Sequence, residues 1–193
     1  MAEFRNITKK YGKDTVLDNF SLVIKKNSPT VLMGESGCGK TTLLRIAAGL
    51  EAADRGCFDS NGETVAYMFQ EPRLLPWKNA LDNVLATLPK GSLEIAKKHL
   101  ESTGLDIEAD CKKFPSELSG GMRQRVAFAR FLAYAEATNA TLLLLDEPFS
   151  ALDSETSDKM ASLLKDFSKD KTLLVVSHDE SDARILNAKI IRI

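Results

Sequence analysis

Gly34 to Leu43 reads GESGCGKTTL, which puts three glycines, a lysine and two threonines in ten residues. The spacing Gly34-x4-Gly39-Lys40-Thr41 fits a phosphate-binding loop. Its context agrees, with the β-prone "TVLMG" before it and the helical pattern "KTTLLRIAAGL" after it. Glycines 34, 37 and 39 let the backbone N–H groups from Gly34 through Glu35, Ser36, Gly37, Cys38 and Gly39 turn toward phosphate oxygens. A helix starting near Lys40 adds the positive end of its dipole. Lys40 is expected on the β- and γ-phosphates, and the Thr41 hydroxyl on Mg²⁺. The implied ligand is a nucleoside triphosphate, with kinase, GTPase and ATPase all still open.

A second group of chemistry-bearing residues follows an aliphatic run. "LLLLDEP" places Asp146 and Glu147 at the carboxyl end of a buried strand, where α/β sheets bind ligands. Asp146 suits the water shell of Mg²⁺. Glu147, one residue on, points elsewhere and suits a general base for an attacking water. A third group is "LSGGMRQR", Leu118 to Arg125. Ser119 is placed to cap the next helix, and Gly120 and Gly121 allow close approach to its N-terminus. That is a second anion site on a different element. Two half-sites on one chain favour a head-to-tail pair, each chain completing the other's site.

These residues need a scaffold. "AEFRNI" and "TVLDNFSLVI" around "YGKD" read as an antiparallel opening. "TVLMG", "TVAYMFQ", "TLLLLDE", "KTLLVVSH" and "AKIIRI" read as further strands, the buried ones alternating with helices. That alternation implies an α/β fold with a largely parallel sheet, an antiparallel N-terminal β subdomain and an inserted helical stretch. Residues 1–71 and 138–193 are expected to form the nucleotide-binding core of one domain, with 72–137 as the helical subdomain.

Composition narrows the class. Lys and Arg number 26 against 27 Asp and Glu, a net charge of -1, which disfavours nucleic acid as a partner. Apolar runs stop at five residues, well short of the ~20 that span a bilayer. The opening "MAEFRNITKK" lacks an apolar signal core, and Cys38, Cys57 and Cys111 have no paired spacing. A cytoplasmic protein with free thiols is expected.

Taken in order, Tyr11, "GESGCGKTT", "FQEP", "LSGGMRQR", "LLLLDEP", "SALD" and "SHD" resemble the ATP-binding subunit of an ABC (ATP-binding cassette) transporter over nearly the whole chain. The resemblance implies a P-loop NTPase fold and ATP hydrolysis with Mg²⁺. It implies that Tyr11 stacks on adenine and that Gln70 touches Mg²⁺ and the lytic water. It implies that Asp153 crosses the dimer interface and that His178 contacts the γ-phosphate. ATP would lie between Lys40, Thr41 and Thr42 of one chain and Ser119 and Gly121 of a second. His99, in the polar "AKKHLES", reads as a surface residue.

"EPRLLPWKNALDNV" after Gln70 resembles importer cassettes, particularly those for nitrate, sulfonates and taurine. The implied partners are a second ATPase subunit, transmembrane permease subunits and, indirectly, an extracytoplasmic solute-binding protein. The permease would hold the chain at the inner face of the membrane. Leu74, Leu75, Pro76 and Trp77 would suit a groove for a permease helix. Two departures stand out: Asn27-Ser28-Pro29 replaces the usual Gly-Glu turn, and Met122 stands where Gln is common. Ending at Ile193, the chain lacks the C-terminal extension of many importer cassettes, so regulation through one is not expected. A soluble ABC ATPase in DNA repair, translation or cofactor assembly is the alternative. It usually carries long insertions, zinc motifs or a second cassette. A binding module without hydrolysis is disfavoured by Glu147 and His178.

Overall fold

The computed structural model describes residues 1–193. Strands β1 (Ala2–Tyr11) and β2 (Asp14–Ile24) form the expected antiparallel hairpin, closing at Tyr11 and Asp14. Strand β3 (Thr30–Met33) runs straight into the glycine loop and helix α1 (Lys40–Ala47). Strand β4 (Arg55–Asp59) was not evident from sequence. It is mostly solvent-facing and lacks an apolar alternation, yet it pairs with the free edge of β1 to make a three-stranded sheet.

Strands β5 (Val65–Met68), β6 (Leu142–Asp146), β7 (Thr172–Val176) and β8 (Lys189–Arg192) join β3 in a parallel sheet of order β5-β6-β7-β3-β8. The leucine run of β6 has a physical reason: this strand is buried on both faces. Leu143 and Leu145, with Leu173 and Val175, pack into one core with α4 (Gly120–Ala137) and α5 (Ser154–Phe167). Leu142 and Leu144, with Leu174 and Val176, pack into a second core against α1 and the antiparallel sheet. A one-residue slip of β6 would exchange these two sets.

The helical stretch has a core of its own, from α2 (Ala80–Leu85), α3 (Leu93–Ser102) and one side of α4. Helix α4 is apolar nearly all round because it lines two cores at once. Val126, Ala129 and Ala133 face α2 and α3, while Phe128, Phe131 and Leu132 face the sheet. The short helix α6 (Glu180–Ile185), also missed in the sequence, follows β7 and is capped by Asp179.

His99 corrects the sequence reading. It is buried, not at the surface, with Nε2 2.7 Å from Glu136 Oε2 and its ring edge-on to Phe167. Lysines around it supplied the polar look, but α4 and the end of α5 cover this one position. The apolar cluster after Gln70 also divides. Leu74 packs between two cores and Leu75 is half-buried, held through its backbone by Asn83, whereas Trp77 remains 71% exposed. Leu74 is therefore core and not a free anchor.

Candidate nucleotide site

The glycine loop is shaped by two close approaches. Gly39 is the N-cap of α1 at φ +98, and a Cβ there would lie 2.7 Å from Leu17 Cδ2. A Cβ on Gly34 would meet the Ile193 carbonyl oxygen at 2.5 Å. Only glycine lets this backbone pass between the antiparallel sheet and the last strand. Lys40 is buried within the loop. Its ammonium donates to the carbonyls of Gly34 (2.8 Å) and Glu35 (2.7 Å) and sits 3.6 Å from Cys38 Sγ. A phosphate would offer the same cation stronger, charge-assisted partners.

Residues far apart in sequence meet at the mouth of this loop. Tyr11, Ser36, Gly37, Gly39, Lys40, Thr41 and Thr42 share a groove of about 370 Å³ with Gln70, Glu147 and His178. Glu147 adopts φ +46, its N–H donating to the Val176 carbonyl of the neighbouring strand at 3.0 Å. Gln70 Nε2 donates to Glu147 Oε2 at 3.1 Å, and His178 Nε2 lies 2.6 Å from Glu147 Oε1. Each carboxylate oxygen therefore has one side-chain partner and a second lone pair left for water. Tyr11 stands at the groove's rim, half exposed, with its hydroxyl on Glu51 and Lys9 5.4 Å from its ring centre.

Asp146 is buried at the end of β6, and its Oδ1 has no hydrogen-bond partner. Burial pushes its carboxyl up, assisted by the charge of Glu147 and opposed by Thr41, Arg45 and Lys40. An orphaned, buried carboxylate oxygen beside a threonine hydroxyl fits Mg²⁺, which takes few protein ligands and retains waters.

Ser119, Gly120, Gly121 and Asp153 do not line this groove. Ser119 is exposed and caps α4, its Oγ accepting from the Met122 N–H at 3.1 Å. A Cβ on Gly120 would meet nothing, and one on Gly121 would lie 3.5 Å from the Ala151 carbonyl oxygen. Asp153 caps α5, accepting from the Thr156 N–H and hydroxyl, which hold its carboxyl below the ordinary range. The sequence-predicted residues thus fall into two sets, one gathered and one displayed elsewhere.

Three contributors escaped the sequence reading. Arg45 lines the groove from α1. Arg130 donates to the carbonyls of Pro72 (2.6 Å) and Arg73 (3.0 Å), strapping the segment after Gln70 to α4. Gln124 reaches the Pro148 carbonyl at 2.9 Å. For Arg45 and Arg130 the one signal is a polar side chain inside an apolar helical run; Gln124, between Arg123 and Arg125, carries none. Beside the strap lies an apolar groove of about 430 Å³, lined by Leu50, Tyr67, Phe69, Arg73, Phe131 and Tyr134 among others.

The family model described as ABC transporter matches residues 17–150. The chain belongs to the ABC transporter family. It is 41% identical over 194 residues to the aliphatic sulfonates import ATP-binding protein SsuB 1 of Burkholderia lata, an alignment covering 97% of this chain and 59% of that protein. It is 42% identical over 201 residues to the SsuB of Cupriavidus necator, covering 98% of this chain and 64% of that protein. The chain spans about three fifths of the length of the curated relatives it matches. Among solved structures it is similar to a dimeric ATP-binding cassette in a post-hydrolysis state bound to ADP and Pi. That match has a TM-score of 0.86 and 32% identity over 100% of this chain and 94% of that one. A dimeric bacterial ABC transporter cassette matches with TM-score 0.87 at the same identity and coverage. The ABC cassette is a P-loop NTPase fold, and this chain has it. No helix is long and apolar enough to cross a membrane.

Proposed function

We propose that this ABC family chain binds and hydrolyses ATP, and that two copies close head-to-tail over two nucleotides to drive import of a small solute. The observation that carries the reading is the split site. Lys40, Thr41, Gln70, Glu147 and His178 share one groove, while Ser119 displays an anion-binding helix start away from it. A chain with both halves apart is completed by a second copy.

The chemistry follows from positions. Lys40 exchanges the Gly34 and Glu35 carbonyls for the β- and γ-phosphates, and the loop N–H groups cradle the same oxygens. Thr41 and Asp146 would hold Mg²⁺, which supplies charge neutralisation at the phosphates. Glu147, oriented by Gln70 and His178, accepts the proton of the attacking water. Tyr11 at the rim is the adenine platform. Ser119 and Gly121 of the other copy complete the γ-phosphate shell, and Asp153 lies at that interface. Loss of the γ-phosphoryl group removes the link, and the pair opens.

For the rest of the assembly, the names of the relatives support aliphatic sulfonates or similar small anions as the solute class. The apolar groove beside Gln70, rather than Leu74 and Leu75, is the proposed seat of a permease segment. That permease would hold the chain on the cytoplasmic face of the membrane and receive solute from an extracytoplasmic binding protein. Light scattering of the Glu147→Gln chain tests the core of the reading. A dimer is expected with ATP and Mg²⁺ and a monomer with ADP; a monomer under both conditions would remove the split-site model.

A further inference from the structure

Glu147 is held in a left-handed backbone turn, which a non-glycine residue adopts only when its surroundings impose it. Val176 fixes the peptide before it, and Ser150 Oγ donates to the Glu147 carbonyl at 3.1 Å. The next residue, Pro148, has no N–H, so its carbonyl is the only backbone hydrogen-bonding group it offers. That carbonyl accepts from Gln124 Nε2 at 2.9 Å, across 24 residues of sequence. Gln124 is 1% exposed, and its Oε1 is buried with no partner. An apolar side chain of the same length would remove the orphaned Oε1 but would leave the buried Pro148 carbonyl without its donor. Packing therefore does not explain an amide here, whereas the single donated bond does.

We infer that Gln124 is a positioning residue for Glu147, acting through the Pro148 carbonyl. The inference rests on the reading of Glu147 as the base. Gln124 lies on α4 five residues after its cap, Ser119, about 7.5 Å along the helix axis. The helix that presents Ser119 to a second copy thus holds, by the same rigid element, the peptide that aims the base of its own copy. A shift of α4 on closure is transmitted to Glu147 through one hydrogen bond and the proline ring.

The test compares two variants that both lose the donor, Gln124→Met, which keeps the length, and Gln124→Leu, which is shorter and branched. Each is made in the wild-type and the Glu147→Gln chains and checked by thermal midpoint. ATP affinity, ATP-dependent dimerisation and single-turnover hydrolysis are the readouts. Hydrolysis is expected to fall roughly 10- to 100-fold, with ATP affinity and the ATP-bound dimer retained. In the Glu147→Gln chain the same changes should lower the residual rate by less than about twofold, because both act on one group. Unchanged hydrolysis, loss of the dimer, or an equal fall in both backgrounds overturns the inference. If Met disturbs the fold, the Leu variant decides by the same criteria; if both unfold the chain, Gln124 is a packing residue and the inference fails. A wild-type chain that does not turn over ATP, or a Glu147→Gln chain as fast as wild type, instead removes the base assignment itself.

Discussion

Gln70 and Glu147, 77 residues apart in sequence, meet at 3.1 Å, amide nitrogen to carboxylate oxygen. With His178 on the other oxygen, the carboxylate plane is set from two sides. Removing either donor frees it to rotate. Gln70→Ala and His178→Ala are each expected to lower turnover by roughly 10- to 100-fold, the cost of a misaligned reacting group. ATP affinity should change by less than about threefold, since Lys40 and the loop N–H groups carry binding. Rapid-quench hydrolysis beside equilibrium nucleotide binding separates the two; a loss confined to affinity would place these residues on the nucleotide and not on the base.

The loop itself gives the second prediction. Gly37 and Gly39 are both left-handed, at φ +83 and +98, but only Gly39 faces an obstacle, Leu17 Cδ2 at 2.7 Å and Val16 Cγ1 at 3.0 Å from a hypothetical Cβ. Leu17 is buried and cannot swing aside freely. Gly37→Ala should cost about 1–2 kcal/mol of backbone strain, and Gly39→Ala more than that. Thermal denaturation and ATP titration of the pair check the order. Equal effects would mean that backbone strain alone, without the wall of β2, governs the loop.

How much of this was legible beforehand depended on locality. The glycine loop is contiguous, so its spacing alone shows its chemistry, and the leucines of β6 announce a strand buried on both faces. The hairpin of β1 and β2 was likewise visible because its turn and both strands are adjacent. Strand β4 was not, since its exposed residues carry no apolar period and only pairing with β1 makes it a strand. Gln124, Arg130 and His99 share another cause. Each is a polar residue whose burial is decided by an element distant in sequence, respectively the Pro148 turn, the Pro72–Arg73 segment and Glu136 with Phe167. No local pattern records such a partner.

His99 also makes the fold sensitive to acid. Burial lowers its pKa, against the pull of Glu136, and Nδ1 has no acceptor to receive a second proton. The unfolded imidazole titrates near ~6.5, so the folded chain refuses a proton that the unfolded chain accepts. Its contribution is complete above about pH 6.5 and is lost as pH falls below that value. Burial raises the Glu136 carboxyl, but Lys98 and His99 more than offset it and hold it low, so its share is lost only below about pH 4.5. Thermal midpoints at about pH 7.5 and pH 5.5 should fall for wild type and fall less for His99→Phe. Parallel declines would assign the acid sensitivity to other groups.

The apolar groove and the segment after Gln70 predict different phenotypes for neighbouring leucines. Leu50 is exposed at the groove, so Leu50→Glu should leave folding and ATP binding intact and abolish capture by a membrane subunit. Leu74 is packed between two cores, so Leu74→Ser should cost roughly 1–3 kcal/mol in unfolding experiments. Trp77→Ser should change stability little. Co-purification with the cognate permease, beside denaturant titrations, reads all three. Retained assembly in Leu50→Glu would move the docking surface away from this groove.

The two duties of Ser119 can be separated by charge. Its Oγ caps α4 through the Met122 N–H, so an alanine would lose about 1 kcal/mol of helix stability and confuse fold with function. Asp and Asn both cap well, and Asp even suits the helix dipole. They differ in what they show to a second chain: Asp sets a negative charge against the γ-phosphate, while Asn offers an amide. Ser119→Asp should therefore fold, bind ATP as a monomer and neither dimerise nor hydrolyse. Ser119→Asn should fold equally well and retain part of both activities. Lys40→Ala should fail at the earlier step, binding ATP weakly as a monomer. Mixing Ser119→Asp with Lys40→Ala can build one site from the intact loop of the first and the intact helix start of the second. At most half of the wild-type sites would then turn over. Measuring ATP affinity of each monomer, then turnover of the mixture against each variant alone, gives the answer. If Ser119→Asp weakens monomer affinity as much as Lys40→Ala does, Ser119 serves its own chain's nucleotide and the head-to-tail arrangement is wrong.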